Sequence, residues 1–227
     1  RQRVVLLFCL TGLPSTTFLR GNCLRIVSDL DGVCFSFNNS YARLLYEENP
    51  TKITKDWCEG PEQPVMWDWD KALGYTPEEL SHVWGRIHKK DSTFWANLEP
   101  LPGAVEFIKQ LNKLSAKNHE VSFLTHRSGY NAKRQSEKAL YDLGMNYPTV
   151  NIVNNANDKI PFLRLTGADW FLDDRIETLN ECVSSATYQG PMWKIQLLLL
   201  GKPYNREGRL GGYTVVNTLQ EALEKAG

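Results

Sequence analysis

The sequence lacks the long apolar runs of a membrane-spanning helix. Its longest strongly apolar runs, residues 4–10 and 195–200, are far shorter than the roughly 20 residues that a helix needs to cross a bilayer. It also lacks an excess of charge of either sign, since 26 basic residues balance 26 acidic ones. A zero net charge argues against a broad basic surface of the kind that binds duplex nucleic acid or an anionic membrane, and it is compatible with a local basic pocket. We therefore expect a small-molecule partner, and neither duplex nucleic acid nor a membrane.

Closely spaced cysteines are absent as well. The five cysteines are scattered without a C-x-x-C pair, so the pattern predicts neither a zinc site nor a disulfide framework. A reducing, cytoplasmic compartment is the simplest interpretation. The alternative is export, because Arg1 and Arg3 precede the apolar run 4–10 and loosely imitate a secretion signal. Residues 10–17 resemble the start of a phosphate-binding loop, but they lack its G-K-[ST] ending and we reject that interpretation.

The order of the apolar runs predicts an α/β fold. The chain has 227 residues, a length that suits one α/β domain with an insertion. From Leu24 onward, short β-type runs alternate with helical patterns, as in βαβ units on a parallel sheet. Predicted strands cover 24–28, 121–125, 150–153, 170–172 and 195–200, and predicted helices cover 105–114, 131–143, 160–165, 176–185 and 219–225. We expect a Rossmann-like parallel sheet flanked by helices.

One interval, residues 35–98, interrupts this alternation with helical periodicity and no convincing strand. Its first helix has one apolar face, formed by Phe37, Tyr41, Leu44 and Leu45. Its second begins with a capping-box pattern at residues 76–79, with proline in the first turn. We therefore expect a small helical cap at 35–98, inserted after the first strand into a core domain of residues 21–34 and 99–227. Residues 1–20 form a segment of uncertain role.

Two acidic pairs follow two of the predicted strands. Asp29 and Asp31 end the first strand, where alternation directs positions i and i+2 to the same side. Asp173 and Asp174 directly follow the strand 170–172. Alone, either pair is more often a solvated turn, but two carboxylate clusters at one sheet edge repel each other unless a cation lies between them. The residues predict a Mg²⁺ site with Asp29, Asp173 and the backbone carbonyl of Asp31 as ligands.

Two further residues complete a predicted phosphate site. Thr125 ends the second strand, so its hydroxyl and the following backbone amides, beginning with that of His126, are placed to donate to phosphate oxygens. Lys159 precedes the helix that leads to the second acidic pair and supplies a positive charge. Each residue type is uninformative alone, and the order in which they occur is what favours a phosphate-binding function.

In this order the residues resemble the four motifs of the haloacid dehalogenase-like (HAD) phosphohydrolases. The motifs appear as Asp29-Leu30-Asp31-Gly32, Leu124-Thr125, Lys159 and Asp173-Asp174. Within the superfamily, residues 94–104, the Asp158-Lys159 step and residues 171–175 look like the 5'(3')-deoxyribonucleotidase branch. The resemblance covers most of the chain from residue 24 onward. It implies the HAD fold, with the cap between the first two motifs.

The resemblance also implies a reaction. Asp29 would be the nucleophile that forms an aspartyl-phosphate, and Asp31 the acid that protonates the leaving oxygen and then activates water. Mg²⁺ and Lys159 would neutralise the transferring phosphoryl group, while Asp174 would orient Lys159 or a metal-bound water. The favoured substrate is a nucleoside (deoxy)monophosphate. The alternatives are a sugar phosphate, an acid phosphate or a polynucleotide 3'-phosphate, or a non-catalytic module that binds a phosphorylated ligand.

Aromatic residues of the cap are predicted to determine substrate specificity. Its aromatic residues are Phe35, Phe37, Trp57, Trp67, Trp69, Trp84 and Trp95. Aromatic faces stack on bases, and Phe37 matches the position of a base-contacting Phe in the nucleotidase branch. We predict that Phe37 and Trp95 bind substrate, whereas Trp84 lies on the apolar stripe of its helix and is structural.

The sequence departs from the nucleotidase branch directly after Thr125. The branch usually continues with Ser and Pro, whereas His126-Arg127-Ser128 follows here. Arg127, a bidentate donor, is predicted to bind a second phosphate or a carboxylate of the substrate. His126 either contacts the phosphate or simply packs. The late loop 202–205 either faces the site or is a simple turn.

Overall fold

A six-stranded parallel sheet forms the centre of the protein. The computed structural model describes residues 23–59, 66, 68–188 and 194–226. The strand order is β3-β2-β1-β4-β5-β6, and every paired neighbour is parallel. The strands are β1 (Arg25–Ser28), β2 (Glu120–Thr125), β3 (Val150–Ile152), β4 (Trp170–Asp173), β5 (Gln196–Leu200) and β6 (Thr214–Val216). The predicted α/β fold class is confirmed.

Helices cover both faces of this sheet and fill the interval between β1 and β2. They are α1 (Phe37–Glu48), α2 (Asp56–Glu59), α3 (Trp69–Ala72), α4 (Pro77–His88), α5 (Ala104–Ala116), α6 (Ala132–Asp142), α7 (Lys159–Thr166), α8 (Ile176–Tyr188) and α9 (Leu219–Ala226). Short 3-10 segments cover Phe94–Ala96, Ala156–Asp158 and Pro203–Asn205. No helix in the described part of the chain is both long and apolar enough to span a bilayer.

Strand residues alternate between two apolar cores, one on each face of the sheet. Ile26 and Leu172 belong to the larger core, which includes apolar residues of α5, α9 and the inserted helices. Val27 and Phe171, their chain neighbours, belong to the smaller core beside α7 and α8. Because successive strand side chains point to opposite faces, a sheet covered on both sides needs continuous apolar strands. Burial of the strands on both faces of the sheet therefore explains the short unbroken apolar runs of the sequence.

The register brings three strand ends to one edge. Ser28, the last residue of β1, is paired with Phe123 of β2 on one side and with Leu172 of β4 on the other. β1 lies between β2 and β4, and all three run in the same direction. The residues that follow β1, and the last residues of β2 and β4, therefore meet at the carboxyl edge, where parallel α/β sheets bind ligands.

The inserted helices leave and rejoin the core at adjacent points. The Ser36 backbone N–H donates to the Glu99 carbonyl at 2.8 Å, and the Leu101 N–H donates to the Cys34 carbonyl at 2.9 Å. Between these points, α1 packs against α2 and α4. The insertion is thus closed by backbone hydrogen bonds at its base. The predicted limits of cap and core stay a prediction.

A few elements differ from those expected. Strand β6 was not predicted, because it is only three residues long and follows a glycine-rich stretch. Helices α2 and α3, one turn each, were not predicted either. Trp67 and the N-terminal segment of residues 1–20 lie outside the described residues.

Candidate active site

The first acidic residue is fixed by the backbone at the end of β1. The Asp29 N–H donates to the Leu172 carbonyl of β4 at 2.8 Å. Its carboxylate oxygen Oδ1 accepts a bond of 2.8 Å from the Leu30 N–H. These bonds hold the Asp29 carboxylate beside the end of β4, where Asp173 is the last residue. The two acids are distant in sequence, and they become neighbours because their strands pair.

Lys159 joins these two carboxylates. It is the first residue of α7, and its side chain is only 3% exposed. The Lys159 ammonium lies 2.7 Å from Asp29 Oδ2 and 2.9 Å from Asp173 Oδ2. A second bond, from the Arg175 N–H to Asp173 Oδ1 at 2.8 Å, fixes the other oxygen of Asp173. The lysine is therefore oriented by Asp29 and Asp173.

Asp174 adds a third carboxylate to the cluster. Oxygen atoms of Asp29, Asp173 and Asp174 all lie within 4.8 Å of one another, and the three residues are buried. The Tyr204 hydroxyl donates to Asp174 Oδ2, and the Asn205 amide donates to the Asp174 carbonyl at 2.7 Å. The loop 202–205 thus faces the site. One ammonium group does not balance three carboxylates, so this donor set fits a hard divalent cation.

The acid–base behaviour of the cluster follows from its burial. Burial raises the pKa of Asp29 to about 7; Lys159 opposes that rise, and Asp173 and Asp31 add to it. Burial and the nearby Asp173 raise the pKa of Asp174 well above its ordinary value. Burial tends to lower the pKa of Lys159, but Asp173 and Asp29 together hold it above its ordinary value. Lys159 is therefore a cation at neutral pH.

Asp31 has a different set of partners. Its carboxylate accepts two bonds from Arg127, of 2.9 Å from Nε to Oδ2 and of 2.7 Å from Nη2 to Oδ1. The hydroxyl of Thr125, at the end of β2, lies 3.4 Å from Asp31 Oδ2. The Asp31 side chain is therefore held apart from the cluster of Asp29, Asp173 and Asp174, and the predicted role of its backbone carbonyl as a metal ligand stays a prediction.

Gly32 permits the close approach of the two acidic pairs. Its φ is +72°, in the left-handed region. A Cβ atom on Gly32 would overlap the Asp174 carboxylate and lie 2.9 Å from the Tyr204 hydroxyl. Only glycine satisfies both the backbone conformation and the space at this position.

A cavity of about 380 Å³ is lined by Asp31 and Arg175, which lie close in sequence to the cluster residues Asp29 and Asp174. Its lining combines charged and polar residues of the core with aromatic residues of the inserted helices: Asp31, Phe37, Asn38, Tyr41, Asp68, Trp69, Asp70, Lys71, Leu80, Trp84, Trp95, His126, Ser128 and Arg175. Cavities that bind small ligands usually have about 300–1,000 Å³ and mostly apolar walls. The position and lining of this cavity suit a ligand with a planar apolar part and a charged end.

The predicted aromatic contacts lie in the wall of this cavity. Phe37 and Trp95 both line it, and their rings stack at 5.9 Å with an interplanar angle of 18°. Trp84, predicted to be structural, is half-buried, stacks on Phe37 at 6.1 Å and also lines the cavity. Trp69 lines it too. Trp57 does not line the cavity, but its ring stacks on that of Trp69 at a centroid distance of 5.1 Å. The predicted roles of Phe37 and Trp95 in substrate binding stay predictions.

His126 and Arg127 have different environments. His126 is exposed and lines the cavity, so its role in phosphate binding stays a prediction. Arg127 is buried, and it contacts the carboxylate of Asp31 rather than an open space. Its predicted role toward a substrate phosphate or carboxylate is untested, and the structure gives its guanidinium an internal partner.

Some residues of the site were not identified from the sequence. Ser136 accepts a bond of 2.8 Å from Arg127 Nη1. Asn205 belongs to the loop 202–205 that one interpretation placed at the site, but its bonds to the carbonyls of Asp174 and Leu200 were not foreseen. Arg175 was included in a motif, but its place in the cavity wall was not foreseen. Serine in a helix and asparagine in a turn carry no signal of such contacts, because these residue types are common at both positions.

Comparison with known proteins identifies a family whose model matches most of this chain. A family model described as "5' nucleotidase, deoxy (Pyrimidine), cytosolic type C protein" matches residues 22–222. No curated protein matches the sequence at a significant level.

Several solved structures share the fold at low sequence identity. A HAD-superfamily hydrolase, subfamily IA, variant 1, from Geobacter sulfurreducens PCA is 13% identical, with a TM-score of 0.55, and the match covers 90% of this chain and 97% of that one. A haloacid dehalogenase-like family hydrolase from Xanthomonas campestris is 10% identical, with a TM-score of 0.51 and coverage of 91% and 96%. CbbY from Rhodobacter sphaeroides, solved in complex with phosphate, is 13% identical, with a TM-score of 0.50 and coverage of 88% and 96%. These likenesses show the HAD fold.

Proposed function

The chain belongs to the family of 5' nucleotidases described as deoxy (pyrimidine), cytosolic type C, and we propose that it is a Mg²⁺-dependent phosphatase of nucleoside monophosphates. That the protein is a phosphoric monoester hydrolase follows from the family. The identity of the ester and the metal are the proposal. One observation carries it: the buried Asp29 carboxylate, paired with Lys159 at 2.7 Å and clustered with Asp173 and Asp174, is followed two residues later by Asp31, which lines a cavity walled by aromatic rings.

The first step transfers the phosphoryl group to Asp29. A carboxylate oxygen of Asp29 attacks phosphorus, and the bond from phosphorus to the ester oxygen breaks. The ester oxygen keeps the electron pair of that bond and takes a proton from the Asp31 carboxyl group. The products of this step are the free nucleoside, an aspartyl-phosphate at Asp29 and the Asp31 carboxylate.

The second step regenerates the enzyme. Asp31, now a carboxylate, takes a proton from a water molecule whose oxygen attacks phosphorus. The bond between phosphorus and the Asp29 oxygen breaks, which releases inorganic phosphate and restores the Asp29 carboxylate. The same residue thus acts as acid and then as base, so each turnover ends with the proton back on Asp31.

The remaining residues supply positive charge and hydrogen-bond donors to the phosphoryl group. Lys159 is held between Asp29 and Asp173, so its ammonium would lie beside a phosphorus atom attacked by Asp29 and would stabilise the negative oxygens. Thr125, at the end of β2, offers a hydroxyl and the following amides to the same oxygens. When bound, Mg²⁺ would be held by Asp29, Asp173 and either Asp174 or the Asp31 carbonyl, and would draw charge from the phosphoryl group.

The cavity supports a nucleotide as the substrate. Phe37, Trp84 and Trp95 line the cavity with aromatic rings, and base–aromatic stacking contributes about 1–3 kcal/mol per base in nucleic-acid sites. The CbbY structure was obtained in complex with phosphate, which agrees with a phosphate site on this fold. The family description, which includes "cytosolic", supports the cytoplasmic location that the cysteine pattern predicts. Export through the N-terminal segment has no such support.

A panel of phosphate esters tests this function. With Mg²⁺ present, we expect kcat/KM for a nucleoside 5'-monophosphate to be at least about tenfold higher than for sugar phosphates, carboxylic acid phosphates or a polynucleotide 3'-phosphate, because only the nucleotide fills the aromatic cavity. The measurement is the release of inorganic phosphate. If activity is higher toward a sugar phosphate or an acid phosphate, that ester and not the nucleotide is the substrate.

Two aspartate variants control for the chemistry. Asp29→Asn removes the nucleophile and should reduce release to background with every ester. Asp142→Asn, at an exposed position where Asp142 pairs with Lys138, removes the same charge away from the site and should leave activity unchanged.

A further inference from the structure

Arg127 is a buried arginine whose main partner is Asp31. Its side chain is 0% exposed, whereas that of Asp31 is 19% exposed. Nε and Nη2 of the guanidinium donate to the two oxygens of the Asp31 carboxylate at 2.9 and 2.7 Å. Paired donors of this kind fix the plane of a carboxylate as well as its position.

Other contacts fix the guanidinium itself. Its third nitrogen, Nη1, donates to the Ser136 hydroxyl at 2.8 Å, and that hydroxyl donates to the Ala132 carbonyl at 2.7 Å. The central carbon of the guanidinium lies 5.4 Å from the ring centroid of Phe35 and 4.9 Å from that of Trp95. Burying an arginine is costly unless its donors are satisfied. Here each of the three nitrogens donates to a partner, so these contacts fix the orientation of the guanidinium.

The same rings connect this arginine to the cavity. Trp95 contacts Arg127 and also stacks on Phe37 at 5.9 Å. Its indole N–H donates to the Ser128 carbonyl at 2.8 Å, and its backbone N–H donates to the Gln135 side chain at 3.0 Å. Arg127, which holds Asp31, therefore packs directly against the aromatic wall of the cavity formed by Phe37 and Trp95.

We propose that Arg127 is a positioning residue that sets the orientation of Asp31 for proton transfer to the leaving oxygen. This inference rests on the proposed function, in which Asp31 is the acid. Among the described residues, Oδ2 of Asp31 contacts both Arg127 Nε and the Thr125 hydroxyl, whereas Oδ1 accepts only from Arg127 Nη2. A carboxyl group has about four lone-pair positions, so Oδ1 keeps an open position and is the atom that transfers the proton.

The reactivity of the leaving group distinguishes this role from others. A nucleoside oxygen leaves as an alkoxide and needs a proton, whereas p-nitrophenolate is a stable anion and needs none. A residue that orients the acid should therefore affect the first ester much more than the second. A residue that binds phosphate or supports the fold should affect both equally.

The experiment measures leaving-group release in a single turnover, with enzyme in excess. The two substrates are a nucleoside 5'-monophosphate and p-nitrophenyl phosphate, each with Mg²⁺. The variants are Arg127→Met, which keeps the apolar stem, and Arg127→Lys, which keeps the charge without the paired donors. We expect both to slow nucleoside release at least tenfold more than p-nitrophenolate release. Circular dichroism checks that each variant is folded; if Arg127→Met is not, Arg127→Lys carries the test.

Two further variants complete the design. Arg134→Met, at an exposed position of α6, makes the same substitution as Arg127→Met away from Asp31, so the ratio of the two release rates should stay at the wild-type value. Asp31→Asn should show the same selective loss as the Arg127 variants, and combining Asp31→Asn with Arg127→Met should add no further loss, because both changes remove one function.

The outcomes separate the two hypotheses. Equal losses on both esters, or additive losses in the double variant, would overturn the role of Arg127 and leave the phosphatase reaction intact. No release from either ester by the wild-type protein would instead contradict the proposed function.

Discussion

Gly32 decides how closely the two acidic pairs of the site approach each other. It has a φ of +72°, and a Cβ atom there would overlap the carboxylate of Asp174. We predict that Gly32→Ala lowers activity at least tenfold, because Asp174 and Tyr204 must move away from the cluster. It should also destabilise the fold by about 1–2 kcal/mol through the left-handed backbone alone. The measurements are phosphate release and the free energy of unfolding in urea.

Gly74→Ala is the matched control for this prediction. Gly74 has a similar φ of +79°, and a Cβ atom there would meet nothing within 4 Å. This variant should show the backbone effect on stability without the effect on activity. If both variants lose activity equally, the space beside Asp174 is not what Gly32 provides.

At the same scale, the types of the site residues were predictable but some of their partners were not. Asp29, Lys159 and Asp173 follow a recognisable order, and the structure places them within hydrogen-bonding distance. Arg127 was identified as an unusual residue after Thr125, but its pairing with Asp31 depends on how two loops at neighbouring strand ends fold. No pattern within either loop indicates that contact.

Among the elements, helix α4 carries a pH-dependent contact at its N-terminus. The Glu79 carboxylate accepts bonds of 2.8 Å from Asn49, 2.5 Å from Lys52 and 2.7 Å from the Thr76 N–H. These bonds, with that from Lys52 the largest cause, lower the pKa of Glu79 from 4.5 to about 2. Since the folded-state pKa is depressed, the stabilisation is complete above pH 4.5 and is lost as the pH falls toward 2.

Glu79→Gln tests this contact, because glutamine keeps the capping-box geometry without the charge. We predict that wild type is more stable than Glu79→Gln at pH 6, and that the difference shrinks as the pH falls below about 4.5. Urea unfolding at a series of pH values measures it. Glu78→Gln, an exposed position in the same helical turn, removes an equal charge and should give a smaller, nearly constant difference. A difference for Glu79→Gln that does not change with pH would contradict the prediction.

Elements with a clear periodicity were predicted from the sequence, and irregular ones were not. Of the six strands in the described part of the chain, five follow from apolar runs that are buried on both faces, and α4 follows from its capping box. Strand β6 has three residues and lies at the sheet edge, where one neighbour is enough to form it. Helices α2 and α3 have four residues each, too few for an apolar stripe to repeat.

For the whole molecule, a neutral net charge conceals a strong local imbalance. The chain balances 26 basic and 26 acidic residues, yet its buried cluster contains three carboxylates and one lysine. The sheet creates this imbalance, because the pairing of β1 with β4 brings together two acidic segments that are far apart in sequence. Such a cluster is stable only if a cation or protons compensate its charge.

Direct measurement of cation binding tests this description of the molecule. In isothermal titration calorimetry at neutral pH and without substrate, we predict that the wild-type chain binds one Mg²⁺ or Mn²⁺. Asp173→Asn should weaken binding at least tenfold, and the exposed control Asp142→Asn should bind as wild type does. Equal affinity of the wild type and Asp173→Asn, or no binding by the folded wild type, would contradict a shared cation at the ends of β1 and β4.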